Sequence, residues 1–520
     1  MIDELIHQFS DPFAFCRELV QNGIDSGSSE VDISVEYQKG VAEIVVQDFG
    51  EGMTREIIET RLVRMFSSTK EQDLTKIGRF GIGFISVLAI DPDEVVLETG
   101  REGQYWKMVL KADKTYELYR LSYPLEGTTV RLRKTISAES YGSFVARLEK
   151  SVRIWCRFVQ LPVYFNGEDI RRPFDLQGEV KYRAEERGTR IVMSMVPFRE
   201  YSDDVLRAGY FNRGLTLVET SATKLPWVRF LIDSPALEHT VTRDALLRDE
   251  GLREVNKQLL HIATRVLPER ILRRLEEENE EVDQEEYSLL MDCLTSLVRY
   301  GGTLPPNWEA RKIFRSTRGL VSYEQIEKLI RIKRVKVYSR RGPILEFFRK
   351  DYLLAGGREV GRFLENLTGQ KVEVVDKDYL LFEELARNRD RRFDALSRVA
   401  KEILDQTPLE IDGVFFWSFQ KISEELKGVS SLVVPRNEKP IPKDSWRLPP
   451  GPGKVLVLNR DPDSEGDSLD VLLKIFEEEP EFAALCALEL TRMKTPLDLR
   501  MVQGAQKLRQ IRSWRGEEGR

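Results

Sequence analysis

The sequence predicts an α/β (α+β) protein of three or four domains. Three observations carry this: a helix with one apolar face near the start, two alternating strand-like runs directly after it, and a length of 520 residues, too long for one core. Asp11-Pro12 is a good helix start, with Asp as N-cap and Pro at the first helical position. Phe13, Cys16, Val20 and Ile24 then share an apolar face, and Gly27 can end the helix. Glu18, Asn22 and Asp25 form a row on another face, at i, i+4 and i+7. Taken alone, that row reads as a solvated helix face.

The run from Val31 to Tyr37 alternates strictly, Val41 to Val46 follows, and Lys39-Gly40 between them reads as a hairpin turn. The second run leads straight into Asp48-Phe49-Gly50-Glu51-Gly52-Met53. A carboxylate at a strand end, followed by two glycines that let backbone approach a ligand, suits hydrogen bonding to an amino group on a flat base. In isolation the same residues read as an ordinary Asx-Gly turn. Further on, Gly78, Gly81 and Gly83 precede an apolar run from Phe84 to Ile90. Backbone N–H groups freed of side chains at a helix N-terminus make an anion cradle. A dinucleotide-binding loop joins the first strand of a βαβ unit to its helix. This loop instead follows Ser67-Ser68-Thr69-Lys70-Glu71 and a polar stretch, as a mobile lid would. In this order and at these spacings the three pieces point to an ATPase.

Together the motifs resemble the GHKL superfamily, named for gyrase, a heat-shock chaperone, histidine kinases and MutL. The resemblance implies a Bergerat-type sandwich of helices on a mixed sheet, with ATP bound against the helices. It implies that Glu18 is the general base that activates water and that Asn22, in one row with Asp25, holds Mg²⁺. Asp48 would read the adenine amino group, with Gly50, Gly52 and Met53 around the base. Gly78, Arg79, Phe80, Gly81, Ile82, Gly83 and Phe84 would cradle the phosphates as the lid closes, with Thr69 and Lys70 nearby. The superfamily also has a Thr behind the adenine, and Thr128 in Gly127-Thr128-Thr129 fits it.

Later segments choose among the branches. Tyr210 to Val218, Leu225 to Pro235 and Thr240 to Leu246 resemble the middle domain of the ninety-kilodalton heat-shock chaperone family. By that resemblance Arg243 reaches back to the γ-phosphate, where a fixed guanidinium stabilises charge on a transferring phosphoryl group. Read alone, Arg243 is an Arg at an exposed helix N-terminus capped by Thr242, and the family's Gln four residues on is Leu247 here. Lys312 to Arg315, Val321 to Gln325 and Val335 to Tyr338 resemble the next subdomain of that family, and Ser322 with Gln325 makes a capping box in its own right.

Composition narrows the function classes. The net charge is −6 and the charged residues, 32% of the chain, carry both signs throughout, unlike a nucleic-acid binder with phosphate-dominated contacts. Cys16, Cys156, Cys293 and Cys486 lie far apart with no CxxC pair, and there are 3 histidines, so neither a disulfide framework nor a zinc site is expected. A reducing cytoplasm is the natural compartment. No signal-like start and no apolar stretch approaching membrane-spanning length is present, so no membrane association is expected.

The punctuation divides the chain into an ATP-binding unit (1–174), a second α/β unit (175–275), helices with a small α/β unit (276–434), a Pro-rich connector (435–453) and a last segment (454–520). In the last segment a strand from Val455 to Leu458 precedes helices. Leu469, Leu472, Leu473 and Phe476 share one face, and Phe482, Leu485, Leu488 and Leu490 populate another helix. Ordinary core accounts for both. In chaperones of this branch the C-terminal segment dimerises, so the resemblance implies a homodimer through this divergent part. The favoured function is an ATP-driven chaperone whose slow Mg·ATP hydrolysis runs an N-terminal clamp cycle on protein clients. The alternatives are a MutL- or topoisomerase-like DNA enzyme, a sensor kinase, and an ATPase serving one dedicated partner. A sensor kinase places its phosphoacceptor His helix ahead of the ATP domain, where this chain has His7 alone.

Overall fold

The computed structural model describes residues 11–62, 83–200, 202, 206–240, 246–277, 283–381, 391–406, 409–417, 429, 431–435, 440–443, 453–459 and 469–489. The chain forms two compact units, Met1–Ile271 with Ser296–Pro305, and Leu272–Thr295 with Pro306–Arg520.

The first unit opens with helix α1 (Phe15–Asp25), followed by the hairpin of β1 (Val31–Gln38) and β2 (Val41–Asp48). Lys39 at φ 49° and Gly40 at φ 85° make a two-residue turn whose twist matches that of the strands. Six more strands complete an eight-stranded sheet: β3 (Glu94–Arg101), β4 (Gln104–Lys111), β5 (Tyr116–Arg120), β6 (Thr128–Thr135), β7 (Val163–Phe165) and β8 (Glu168–Asp169). The order is β5-β4-β3-β6-β2-β1-β7-β8, and the sheet is mixed because β1 runs parallel to β7. Alternation along the strands puts Val31, Ile33, Ile44, Val46, Leu97 and Leu132 on one face. There they pack with Phe15, Cys16, Leu19 and Val20 of α1 and with Leu148, Val152 and Cys156 of helix α2 (Ala138–Cys156).

The ends of α1 differ in how they are made. At its C-terminus Ser28 N–H donates to Gly23 O at 2.9 Å and Gly27 N–H to Ile24 O at 3.2 Å, with Gly27 at φ 70°. This is a Schellman stop, which needs a residue at ease in the left-handed region. At its N-terminus the expected Asp11 cap is absent. The helix starts at Phe15, after a turn, and Ala14 stands at the N-cap position without a side-chain bond. Asp11 Oδ1 instead accepts from Phe13 N–H at 3.0 Å, and Oδ2 accepts from Ser151 Oγ at 2.6 Å and Trp155 Nε1 at 3.2 Å. A long-range pair of donors on α2 therefore outcompetes the local cap.

A second sheet in the same unit comprises β9 (Lys181–Glu186), β10 (Thr189–Met195), β11 (Ala208–Asn212), β12 (Leu215–Thr220) and β13 (Val228–Asp233), in the order β12-β11-β13-β10-β9. Its edge strand docks on α2. Leu215 joins the core under the first sheet, and Thr216 Oγ1 donates to Ile154 O at 2.7 Å. Phe158, Phe174 and Phe211 meet edge to face, with centroids 5.1–5.7 Å apart. Arg190 bonds both Asp233 Oδ2, at 2.5 Å, and Phe158 O, at 3.1 Å. Helix α3 (Glu250–His261) follows, capped by Asp249.

The second unit holds a four-stranded sheet, Gly319–Ser322, Lys312–Ser316, Tyr352–Ala355 and Val335–Tyr338 in spatial order. Ser322 and Gln325 form the capping box of helix Tyr323–Arg331, with Ser322 N–H donating to Gln325 Oε1 at 2.9 Å. A three-stranded sheet pairs Ile411–Trp417 and Ser431–Pro435 with Lys454–Asn459, so strands from both sides of residues 435–453 share it. Helices Asp394–Leu404, Leu469–Glu478 and Pro480–Glu489 contribute to its core. The last helix buries Ala483, Ala484, Ala487 and Leu488, while Phe482 is half-buried. Among the described residues no helix is long and apolar enough to cross a membrane.

Asp11→Ala should cost about 1–3 kcal/mol of stability by leaving the Ser151 and Trp155 donors without their acceptor. Denaturant titration checks this, and a change within about 0.5 kcal/mol would mean that the contact is incidental.

Candidate functional site

Strand β2 ends at Asp48, directly opposite Thr128 on β6. Asp48 Oδ1 accepts from Gly50 N–H at 2.9 Å, and the Thr128 backbone and Ser26 hydroxyl also donate to this carboxylate. Burial outweighs these donors and raises the Asp48 pKa above its ordinary value. The carboxylate opens on a cavity of about 240 Å³ with apolar walls from Leu19, Val46, Met53, Leu97 and Val130, and with Asn22, Asp25 and Thr128 as polar lining. Phe84 and Gly52 also line it, as do Glu51 and Arg101, which pair at 2.8 Å.

The turn after Asp48 is pressed against β3. Gly52 has φ 69°, and a Cβ there would lie 2.1 Å from Gly100 O, so only glycine fits. Thr99, fully buried on β3, knits the site together. Its Oγ1 accepts from Met53 N–H at 2.9 Å, donates to Gly127 O at 3.1 Å and lies 3.0 Å from Thr128 Oγ1.

A second cavity, of about 580 Å³, lies along the acidic row of α1. Arg17, Glu18, Gln21, Asn22, Asp25 and Gly83 line it from the first sheet's side; Asn212, Arg213, Leu215, Leu237, His239, Thr240 and Leu247 are among those lining it from the second. Asn22 and Asp25 line both cavities. Glu18 is only 4% exposed, which removes the solvated-face reading for it. Its Oε1 lies 3.4 Å from Arg17 Nε. Arg17 is itself buried; its Nη1 donates to Thr216 O at 3.4 Å, and its guanidinium lies 5.1 Å from the centroid of the Trp155 ring. Burial pulls the Arg17 pKa down to about 10, which leaves it charged at neutral pH.

The structure thus brings Glu18, Asn22, Asp25 and Gly83 to one cavity and Asn22, Asp25, Asp48, Gly52, Met53, Phe84 and Thr128 to the other. Gly50 serves through its N–H on Asp48. Thr69, Lys70, Gly78, Arg79, Phe80, Gly81, Ile82 and Arg243 lie outside the described residues, though Thr240 and Leu247, on either side of Arg243, line the larger cavity. Sequence reasoning missed Arg17, Thr99 and Arg213. An Arg next to a Glu on an amphipathic helix looks like surface, and Thr99 sits in a strand with no local mark. Among the described residues no cluster of three His, Cys, Asp or Glu could hold a metal; the oxygen-bearing side chains of α1 on the larger cavity are Glu18, Gln21, Asn22 and Asp25.

Residues 13–132 match the family described as histidine kinase-, DNA gyrase B- and HSP90-like ATPase. The N-terminal region is a GHKL ATPase domain. The chain is also similar to proteins named chaperone protein HtpG, at 26% identity over 211 residues in Chlorobaculum tepidum, 26% over 208 in Chlorobium luteolum and 24% over 204 in Chlorobium chlorochromatii. Each likeness covers 33% of this chain and 32% of the relative, so the chain spans about a third of the length of the curated relatives it matches.

The raised pKa of Asp48 gives a signed prediction. The folded chain holds this proton more tightly than the unfolded chain, so the group favours folding at low pH and loses that contribution as pH rises through the raised value. The stability difference between Asp48→Asn and wild type should therefore move in the variant's favour between about pH 3 and pH 7. Thermal melts across that range check it, and movement in the wild type's favour would contradict the burial argument.

Proposed function

We propose that this protein is an ATP-dependent molecular chaperone of the HtpG kind, binding and slowly hydrolysing Mg·ATP to drive a clamp cycle on protein clients. The observation that carries the reading is the position of Glu18, a buried carboxylate on the wall of a cavity that shares Asn22 and Asp25 with an apolar, Asp48-bearing pocket. That pocket suits a flat base with an exocyclic amino group. Asp48 accepts a hydrogen bond from it, Thr128 adds a hydroxyl, and Met53 and Leu97 pack against the base faces. ATP supplies a phosphoanhydride to be cleaved and Mg²⁺ neutralises its oxygens. Asn22 would hold the Mg²⁺, and Glu18 would take the proton from the attacking water, its own charge stabilised by Arg17. By the resemblance the glycine-rich segment ending at Gly83-Phe84 would cover the phosphates and Arg243 would reach the terminal one, although Gly78 to Ile82 and Arg243 lie outside the described residues.

The same reading divides the chain near residue 174, between the two sheets of the first unit, and makes the C-terminal segment a homodimer contact. The names of the relatives support protein clients, and the −6 net charge supports a partner other than nucleic acid.

Glu18→Ala should bind Mg·ATP close to wild type and lose about a hundred-fold or more in hydrolysis, as for a missing general base. Asn22→Ala should lose the Mg²⁺-dependent part of binding. Calorimetry with a phosphate-release assay separates these outcomes, and wild-type turnover by Glu18→Ala would remove the ATPase assignment of this residue. The chaperone step is tested by ATP-dependent suppression of aggregation of a heat-denatured reporter enzyme. Suppression identical with and without ATP, and identical in Glu18→Ala, would leave an ATPase of another branch.

A further inference from the structure

The two cavities meet at a charged contact. Of their described lining residues, Asn22 and Asp25 alone are shared. A ligand with its base against Asp48 and its reacting end at Glu18 must therefore pass these two side chains. At that passage Arg213 Nη1 is ion-paired with Asp25 Oδ1.

Arg213 comes from the second sheet, in the two-residue turn between β11 and β12, with φ 51° and Gly214 at φ 79°. The turn is held in place. Gly214 N–H donates to Asp233 Oδ1 at 3.0 Å, Asp233 is clamped by Arg190, and Asn212 Nδ2 donates to Leu237 O at 2.8 Å. The backbone is thus fixed while the guanidinium, 58% exposed, stays solvated. An ion pair so exposed contributes little and exchanges readily. A polyphosphate offers several anionic oxygens that match the planar fork of a guanidinium, and so competes well against one solvated carboxylate.

We infer that Arg213 is a phosphate-binding residue, which leaves Asp25 for the polyphosphate of the bound nucleotide and so ties the five-stranded sheet to it. This rests on the proposed base pocket at Asp48. The guanidinium already lies at the passage, beside Asp25.

The test is calorimetry on the full chain at fixed Mg²⁺ with adenosine, ADP and ATP. Arg213→Asn removes the charge while keeping a residue that tolerates the left-handed turn, and Arg213→Lys keeps the charge without the fork. Adenosine should bind wild type and both variants alike. ADP and ATP should bind Arg213→Asn about tenfold or more weakly, with partial recovery in Arg213→Lys. Unchanged ATP affinity in Arg213→Asn, with adenosine still bound, would overturn the assignment. So would an equal loss for all three ligands, which would make Arg213 a structural pin. Failure of adenosine to bind wild type would remove the base pocket itself, and this inference with it.

Discussion

Helix α1 is buried on more than one side, and the chemistry of the site depends on that constraint. Phe15, Cys16, Leu19 and Val20 enter the core of the eight-stranded sheet, while Arg17 and Glu18 are buried as well. A carboxylate taken out of water is costly unless a charge and donors compensate. Arg17 provides the charge, and Arg17 is in turn held by the carbonyl of Thr216 on β12 and by the face of Trp155 on α2. The environment of Glu18 therefore includes a strand of the five-stranded sheet. Leu215, one residue earlier on β12, belongs to the core beneath the first sheet, so removing the second sheet would open that core as well as expose Arg17.

The base end of the site follows a related logic with the opposite balance. Asp48 has donors from Gly50, Thr128 and Ser26 but no described cation beside it, and its charge stays disfavoured. An incoming amino group supplies one more donor to a carboxylate already placed by the strand end and the Gly52 turn. The tight approach of Gly52 to Gly100 and the bonds of Thr99 fix that geometry before any ligand enters. Such preorganisation limits what ligand binding must cost in ordering.

Local signals in the sequence led to the first helix and the first hairpin of the eight-stranded sheet. The alternation of β1 and β2, the Lys39-Gly40 turn, the Gly27 stop of α1 and the Ser322–Gln325 box are short-range devices, each complete within a few residues. The positions of Asp48, Gly52 and Thr128 around one cavity follow from a strand end and a register. Long-range competition was not legible. Asp11 gives up the cap for Ser151 and Trp155, 140 and 144 residues away. Arg17 looks like surface until β12 covers it, and Arg213 meets Asp25 across 188 residues. No periodicity encodes such pairings, because they arise only when two sheets dock.

A crystal structure of the full chain with Mg²⁺ and a non-hydrolysable ATP analogue tests the central claim most directly. The account predicts the adenine amino group within about 3 Å of Asp48, the phosphates passing Asn22 and Asp25, and the terminal phosphate in the cavity lined by Glu18. A base bound elsewhere, or a phosphate chain that leaves the site on the side away from Glu18, would contradict it.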